Sequence, residues 1–252
     1  MKLILGPCAI ESWTHARIMV EQILEAIDGI PVDFYYKSSF DKANRSSIAS
    51  GRGVGLEQGA DILARIREDY FVRTLTDVHE TWQCERLRDA VDVLQIPAFL
   101  CRQTDLLLAA AANAPTVNVK KGQFLAPWDM KNVIDKLPDH DVWITERGTS
   151  FGYNTLVVDY RGLVIMRQWG RPVIFDATHS VQQPGGRGTT SGGQREFAEP
   201  LARAAMAVGC DGLFIETHDC PEKAISDGPN QIPVSELRSM LDSVLRYRQD
   251  AK

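Results

Sequence analysis

Eight short apolar runs alternate with stretches of helical periodicity along this chain, and that alternation limits its possible folds more than any other feature. The runs are KLILGP, DFYYKSS, VRTLTDV, DVLQIPA, TVNVKK, VWITERG, VIFDATH and GLFIETH. Several of them are apolar on both alternations, which is typical of strands buried on two faces. Helical patterns such as HARIMVEQILEAID and EPLARAAMAVG lie between them. Strands that alternate with helices predict parallel pairing.

The last helical pattern is SELRSMLDSVLRYRQ, and its apolar face is formed by Leu237, Met240, Leu241, Val244 and Leu245. Eight strand–helix units in 252 residues predict a single (β/α)8 TIM barrel that spans residues 1–252 as one domain. A doubly wound open sheet is the alternative fold, but no G-x-G-x-x-G turn follows the first strand. No shift in composition marks a domain boundary.

The bulk composition excludes several classes of protein. A formal net charge of -5 and the absence of any basic run argue against a nucleic-acid partner. No apolar stretch is long enough to cross a bilayer, and the apolar run before Gly6 is too short for a signal peptide. The five cysteines form no C-x-x-C pair, which indicates neither a disulfide framework nor a zinc ribbon. We therefore expect a reduced, cytoplasmic protein without a nucleic-acid or membrane partner.

Polar residues collect at the carboxyl ends of the predicted strands, where barrels of this kind carry their active sites. Seven of the eight ends carry an ionisable group and the remaining one carries an amide. In chain order these residues are Cys8, Lys37, Asp77 with His79, Gln95, Lys120 with Lys121, Glu146 with Arg147, Asp176 with His179, and Glu216 with His218. So many polar ends on one face predict a functional site there.

Five cations converge on this predicted face although the chain as a whole is acidic: Lys37, Lys42, Arg45, Lys120 and Arg147. Such a cluster repels itself unless an anion completes it, and phosphate and carboxylate groups are the natural anions. The alternative is that some of these lysines point outward or pair with Asp41, Glu146 or Asp176.

A divalent metal is a second expected ligand. Cys8, His179, Glu216 and Asp227 come from strands one, seven and eight and from the loop after strand eight, which are neighbours in a closed barrel. Thiolate, imidazole and carboxylate groups bind zinc, iron(II) or manganese. The alternative for Cys8 is a small apolar residue in the core.

Two glycine-rich segments are predicted to be loops that lie over the site. Residues 182–194 (QQPGGRGTTSGGQ) follow His179, and residues 38–55 (SSFDKANRSSIASGRGVG) follow the second strand. Long loops without regular structure in a compact barrel are usually functional, although plain surface loops fit the first segment nearly as well.

The motifs GPCAIES, YYKSSFDKANRSS, TDVHE, LQIPAFLCRQTDLL, NVKKGQFLAPWDM, TERGTSFGYNTLVVD, DATHSVQ and DGLFIETHDCPEKAISDGPNQIP occur in this order along the chain. Together they resemble the 3-deoxy-D-manno-octulosonate 8-phosphate synthases, from residue 4 to about residue 233. The resemblance implies condensation of phosphoenolpyruvate with D-arabinose 5-phosphate in lipopolysaccharide synthesis. It also implies a (β/α)8 barrel that forms homotetramers.

The resemblance further implies roles for individual residues. Phosphoenolpyruvate is expected to contact Lys37, Lys42, Gln95, Lys120 and Arg147. The sugar phosphate is expected to contact Asn44, Arg45 and Ser46, together with Arg102 reaching over from a neighbouring subunit. Asp77 is expected to support the lysines and the sugar hydroxyls, and the residues nearest the chemistry are expected to be Cys8, Lys42, Asp77 and His179.

These synthases divide into metal-dependent and metal-independent forms, and two positions distinguish them. The independent form carries asparagine at the position of Cys8 and cysteine at the position of Ser226. This chain therefore resembles the metal-dependent form, which implies Cys8, His179, Glu216 and Asp227 as ligands of a divalent metal.

Three alternatives stay open at this point. A 3-deoxy-D-arabino-heptulosonate 7-phosphate synthase uses erythrose 4-phosphate, but it usually carries K-P-R-T-S where this chain has KANRSS. A Schiff-base aldolase would use Lys120 or Lys121. A phosphate-binding barrel without catalytic activity is the third alternative.

Overall fold

The computed structural model describes residues 1–186 and 191–248, and its centre is a closed ring of eight parallel strands. The barrel strands are β1 Lys2–Gly6, β2 Asp33–Lys37, β3 Arg73–Asp77, β4 Val93–Ile96, β5 Thr116–Lys120, β6 Asp141–Glu146, β7 Val173–Asp176 and β8 Gly212–His218. Each strand pairs with the next one along the chain, and β1 closes the ring on β8 from Lys2↔Gly212 to Gly6↔Glu216. The predicted (β/α)8 barrel is confirmed, and the open sheet is excluded.

A helix follows each strand and packs on the outside of the ring. The helices are α1 Trp13–Ile27, α2 Leu56–Tyr70, α3 Thr81–Leu87, α4 Thr104–Asn113, α5 Met130–Ile134, α6 Arg161–Arg167, α7 Ala198–Val208 and α8 Val234–Leu245. None of the helices in residues 1–186 and 191–248 combines the length and hydropathy that a membrane span needs.

The boundaries differ from the sequence patterns in two ways. Helix α8 ends at Leu245, before the end of the pattern that predicted it, because the apolar spacing stops there and Arg246 and Tyr247 follow. Most predicted strands also extend too far at their carboxyl ends. Cys8 and His79 lie in the loops after β1 and β3, beyond the predicted strands, whereas His179, predicted as the last residue of its strand, begins a short 3-10 helix after β7.

The alternation of side chains along each strand divides the apolar core into two parts. On β1, Leu3 and Leu5 belong to the large cluster between the ring and the helices, and Ile4 belongs to a separate cluster. The separate cluster contains Ile4, Tyr35, Leu75, Val93, Trp143, Ile174 and Phe214, one residue from each of seven strands. We call this cluster the apolar plug, because these residues fill the inside of the ring.

The next inward-facing layer lies two residues further along each strand, because side chains alternate with a period of two. It contains Lys37, Asp77, Gln95, Lys120, Asp176 and Glu216, all of which are buried. Asn118 links part of this layer: its amide donates to Gln95 Oε1 at 3.2 Å, and its carbonyl accepts from Thr145 Oγ1 at 2.6 Å. The ring therefore places charged and amide groups directly on top of the apolar plug.

Gly6 allows β1 and β2 to approach closely at the start of this polar layer. A Cβ atom added at position 6 would lie 1.9 Å from the carbonyl oxygen of Lys37.

We predict that Gly6→Ala lowers the free energy of unfolding by about 3 kcal/mol, because overpacking forces the two strands apart. Urea denaturation measures this change. The matched control is Gly51→Ala, whose nearest neighbour is 3.5 Å away and whose stability should stay within about 0.5 kcal/mol of the parent. Equal midpoints for Gly6→Ala and the parent would contradict the prediction.

Candidate active site

A cavity of about 430 Å³ opens at the carboxyl end of the barrel, above the polar layer. Its lining includes all five predicted cations: Lys37, Lys42, Arg45, Lys120 and Arg147. The other sequence-predicted residues in the lining are Asn44, Ser46, Asp77, His79, Gln95, His179 and Asp227. Cys8 and Glu216 are buried behind the lining and are in contact with Asp227 and Lys37. Most of the residues expected at strand ends thus come together around one cavity.

Two of the lysines are held by buried carboxylates. Lys37 Nζ lies 2.9 Å from Glu216 Oε1 and also donates to the carbonyl oxygen of Cys8. Lys120 Nζ lies 2.5 Å from Asp176 Oδ2. The alternative in which a lysine pairs with Asp176 is therefore correct for Lys120, which nevertheless lines the cavity.

Both carboxylates of these pairs stay ionised. Burial by itself raises the pKa of Asp176 and of Glu216, but the nearby positive charges outweigh it and hold both pKa values well below the usual range. His179 and Lys120 have the largest such effect on Asp176, and Lys37 has the largest on Glu216. The pairs fix the amino groups of the polar layer in space without removing them from the cavity.

Three cations of the cavity have no carboxylate partner within ion-pair distance among the described residues: Lys42, Arg45 and Arg147. Arg147 Nη2 donates to Gln182 Oε1 at 2.8 Å, and its Nη1 is buried without a hydrogen-bond partner among those residues. Burial lowers the pKa of Lys42, but the acidic groups around it outweigh burial and raise the pKa above its usual value. These three side chains are charged donors available to an anion.

Asp77 connects Lys42 to β3 through a hydroxyl group. Lys42 Nζ donates to Ser39 Oγ at 2.9 Å, and Ser39 Oγ in turn donates to Asp77 Oδ1. The other oxygen of Asp77 lies 3.2 Å from His79 Nε2. Burial raises the pKa of Asp77, but the hydrogen bond from His79 and the charge of Lys42 lower it well below its usual value. Asp77 therefore supports Lys42 as an ionised carboxylate.

Three of the four predicted metal ligands form a compact group. The ligand atoms of Cys8, Glu216 and Asp227 all lie within 4.8 Å of one another, and Cys8 Sγ is 3.4 Å from Asp227 Oδ2. His179 stands beside this group, with its Nε2 3.7 Å from Glu216 Oε2. Burial raises the pKa of the Cys8 thiol, and the negative charge of Glu216 raises it further. A nearby cation is what such a thiol needs in order to ionise.

Two observations indicate that a cation fits between these residues. Glu216 Oε2 is buried and has no hydrogen-bond partner among the described residues. His179 Nδ1 lies 2.8 Å from Asp176 Oδ2, and a metal-binding histidine commonly directs its second ring nitrogen to a carboxylate in this way. The unpaired carboxylate oxygen of Glu216 and the other ring nitrogen of His179 face each other at 3.7 Å. A divalent metal satisfies both, and the donor set suits zinc, iron(II) or manganese.

The two glycine-rich segments both border the cavity, as predicted. Residues 38–55 form neither helix nor strand, and Arg45 in this segment donates to Ser226 Oγ at 2.6 Å and to the carbonyl oxygen of Ile225. In the segment 182–194, Gln182–Gln183 pairs antiparallel with Gly192–Gly193, so part of the expected loop is a short antiparallel β pairing. Residues 187–190 lie outside the described residues.

Sequence reasoning missed Gln182, which joins the cationic and acidic parts of the site. Its amide oxygen accepts from Arg147, and its Nε2 donates to Asp227 Oδ1 at 2.9 Å. Its position three residues after His179 was the one available signal, since nothing in the sequence shows which glutamine turns inward. Glu80 and Gln123 also line the cavity and were not predicted.

Comparisons with known proteins show which family this chain belongs to. The sequence profile of the DAHP synthetase I family matches residues 1–251. The chain belongs to that family. It is 56% identical over 253 residues to a Brucella anthropi protein named 2-dehydro-3-deoxyphosphooctonate aldolase, with 99% of this chain and 91% of that protein aligned. A Cyanothece sp. protein of the same name is 58% identical over 249 residues, with 98% of this chain and 91% of that protein aligned.

Several predicted residues of this DAHP synthetase I family chain are not part of the cavity lining, among them Glu146, His218, Arg102 and Lys121. Arg102 is exposed and is not part of the lining, so its expected role at a neighbouring subunit stays a prediction. Lys121 is enclosed, with Nζ 3.2 Å from the carbonyl oxygen of Leu125, 3.1 Å from Thr149 Oγ1 and 3.6 Å from Glu146 Oε2. The geometry disfavours Lys121 as a Schiff-base nucleophile, because its amine does not reach the cavity.

Proposed function

We propose that this chain condenses phosphoenolpyruvate with D-arabinose 5-phosphate and water. The products are 3-deoxy-D-manno-octulosonate 8-phosphate and inorganic phosphate, so the enzyme is a transferase that supplies a sugar acid for lipopolysaccharide synthesis. The observation that carries this proposal is the cavity lined by five cations, directly beside the group of Cys8, Glu216 and Asp227. The name of the relatives, 2-dehydro-3-deoxyphosphooctonate aldolase, supports it.

The distribution of charge supports a separate place for each substrate. Phosphoenolpyruvate carries a carboxylate and a phosphate, and the deep donors Lys37, Gln95, Lys120 and Arg147 match both groups. We propose that the phosphate of the sugar binds at the more exposed part of the lining, at Asn44, Arg45 and Ser46. We further propose that a homotetramer completes this second site with Arg102 from a neighbouring subunit, and that the enzyme works in the cytoplasm.

We assign Cys8, His179, Glu216 and Asp227 as the residues that hold a divalent metal. The unpaired oxygen of Glu216 and the position of His179 Nε2, 3.7 Å from that oxygen, support this assignment. When it is bound, such a metal supplies a Lewis acid for the aldehyde carbonyl of the sugar.

The side chains around the cavity account for the movement of protons and charge. The π electrons of phosphoenolpyruvate form the new carbon–carbon bond to C1 of the sugar, and the aldehyde oxygen takes up a proton. Lys42 lines the cavity, where its ammonium group can hydrogen-bond this oxygen and supply the proton.

Water then adds to C2 of the former enol, and the bond from C2 to the phosphate oxygen breaks as the ketone forms. One proton of the water replaces the proton that Lys42 gave up, and the other leaves with the phosphate. Lys120 and Arg147 stabilise the negative charge that returns to the departing phosphate. No covalent bond between enzyme and substrate is needed in this sequence of steps.

The choice of sugar is the first test. We predict that the purified enzyme releases phosphate from phosphoenolpyruvate with arabinose 5-phosphate and not with erythrose 4-phosphate. A chelator should abolish the release, and added divalent metal should restore it, because the assigned ligands hold an essential metal. Equal rates with erythrose 4-phosphate would favour the heptulosonate synthase instead. A borohydride-trapped adduct on Lys120 would favour a Schiff-base aldolase, and substrate binding without phosphate release would indicate a barrel without this activity.

Substitution of Cys8 tests the metal assignment. We predict that Cys8→Ala loses its bound metal and at least about 100-fold in activity, because it removes a ligand. Cys8→Asn should keep measurable activity in the presence of chelator, since asparagine stands at this position in the metal-independent form. Metal content by mass spectrometry and phosphate release measure both effects. Cys210→Ala is the matched control, because Cys210 is a half-buried thiol that follows α7. Full metal content in Cys8→Ala would rule out the assignment.

A further inference from the structure

The side chain of Gln231 joins two of the segments that carry the assigned metal ligands. Gln231 is buried, and its Oε1 accepts from the backbone N–H of Cys8 at 3.2 Å. Its Nε2 donates to the carbonyl oxygen of Ser226 at 2.9 Å, and its backbone N–H donates to the carbonyl oxygen of Asp227. One amide therefore connects the end of β1 with the loop that carries Asp227.

Glu11 connects the third ligand segment, the end of β8 that carries Glu216, to the loop that carries Asp227. Its Oε1 accepts from His218 Nε2 at 3.1 Å and from the backbone N–H of Ile225 at 3.3 Å. Glu11 is three residues after Cys8, His218 is two residues after Glu216, and Ile225 is two residues before Asp227. Each contact of Glu11 thus lies within three residues of an assigned ligand.

A second metal site is the competing interpretation of the residues around Glu11. The ligand atoms of Glu11, His15 and His218 lie within 4.8 Å of one another. However, His218 Nδ1 accepts from the N–H of Cys220 at 2.9 Å, so the neutral ring carries its proton on Nε2. Nε2 donates that proton to Glu11 Oε1 and then has no lone pair for a metal. We therefore interpret the group as a hydrogen-bonded connection.

The ligand group needs such support for two reasons. The carboxylates of Glu216 and Asp227 lie together beside the buried Cys8 thiol, and their like charges repel each other. Asp227 also has a left-handed backbone with φ of 51°, a conformation that costs energy for a residue other than glycine. The surrounding structure must therefore hold the loop in place.

We propose that Gln231 and Glu11 are positioning residues that hold the three ligand segments at the separation a divalent metal requires. This inference rests on the proposed function, which assigns Cys8, Glu216 and Asp227 as ligands. Neither residue touches the metal or the substrates. Each acts through the backbone of the ligand segments, or through His218 in the case of Glu11.

The experiment measures cobalt(II) binding to metal-free enzyme by calorimetry and by the absorbance of the cobalt–thiolate band. Gln231→Leu keeps the volume of the side chain and removes both hydrogen bonds, and Glu11→Ala removes the shared acceptor. Both should weaken cobalt affinity by about 10-fold or more and reduce the thiolate band. Glu11→Gln keeps an Oε1 acceptor and should stay within about threefold of the parent. If Gln231→Leu does not fold, the comparison of Glu11→Ala with Glu11→Gln is sufficient to decide the question.

The control is Val244→Ala, which removes buried apolar atoms from α8 without touching a ligand segment. It should lower the melting temperature and leave cobalt affinity unchanged. If Gln231→Leu and Glu11→Ala are also less stable but bind cobalt like the parent, the two residues are only structural and the inference is wrong. If the parent itself binds no cobalt through Cys8, the metal assignment fails and the inference falls with it. The two failures are therefore distinguishable.

Discussion

The site depends on the alternation of side chains inside a closed ring of strands. Each inward-facing position lies two residues from the next, so the apolar plug around Trp143 is followed directly by a layer of charged and amide groups. Charges in such a buried place are tolerated when they are paired, and breaking one pair costs about 3–5 kcal/mol. Lys37 with Glu216 and Lys120 with Asp176 meet this condition.

The pairing leaves two sets of groups for ligands. Lys42, Arg45 and Arg147 are charged donors on the cavity wall and suit the carboxylate and phosphate groups of anionic substrates. Cys8, Glu216 and Asp227 form an acidic group at that wall, with Asp227 in the lining and the other two buried behind it, and they suit a cation. His179 stands between the two sets, because its Nδ1 faces Asp176 and its Nε2 faces Glu216. The proposed substrate and metal positions are thus adjacent because two neighbouring parts of one polar layer have opposite charge.

The period of the apolar pattern was sufficient to predict the barrel and the position of Lys37, Asp77, Lys120 and Glu216 at its carboxyl end. The same alternation explains why Lys120 faces the cavity and Lys121 does not, since successive residues of a strand point to opposite sides.

The contacts of Gln182, Gln231 and Glu11 were not predictable in this way. Each of them joins segments that are far apart in sequence, and one chain without a structure does not show which loops meet. The sequence patterns also placed the carboxyl ends of most strands too far along the chain. The polar pattern continues into the loop, for example to Cys8, beyond the last hydrogen bonds between neighbouring strands.

X-ray absorption spectroscopy of the zinc-loaded enzyme tests the central claim most directly, namely that Cys8 and its neighbours form a metal site beside the cationic cavity. The account predicts one sulfur scatterer at about 2.3 Å together with nitrogen and oxygen scatterers. A first coordination shell that contains only nitrogen and oxygen would contradict it.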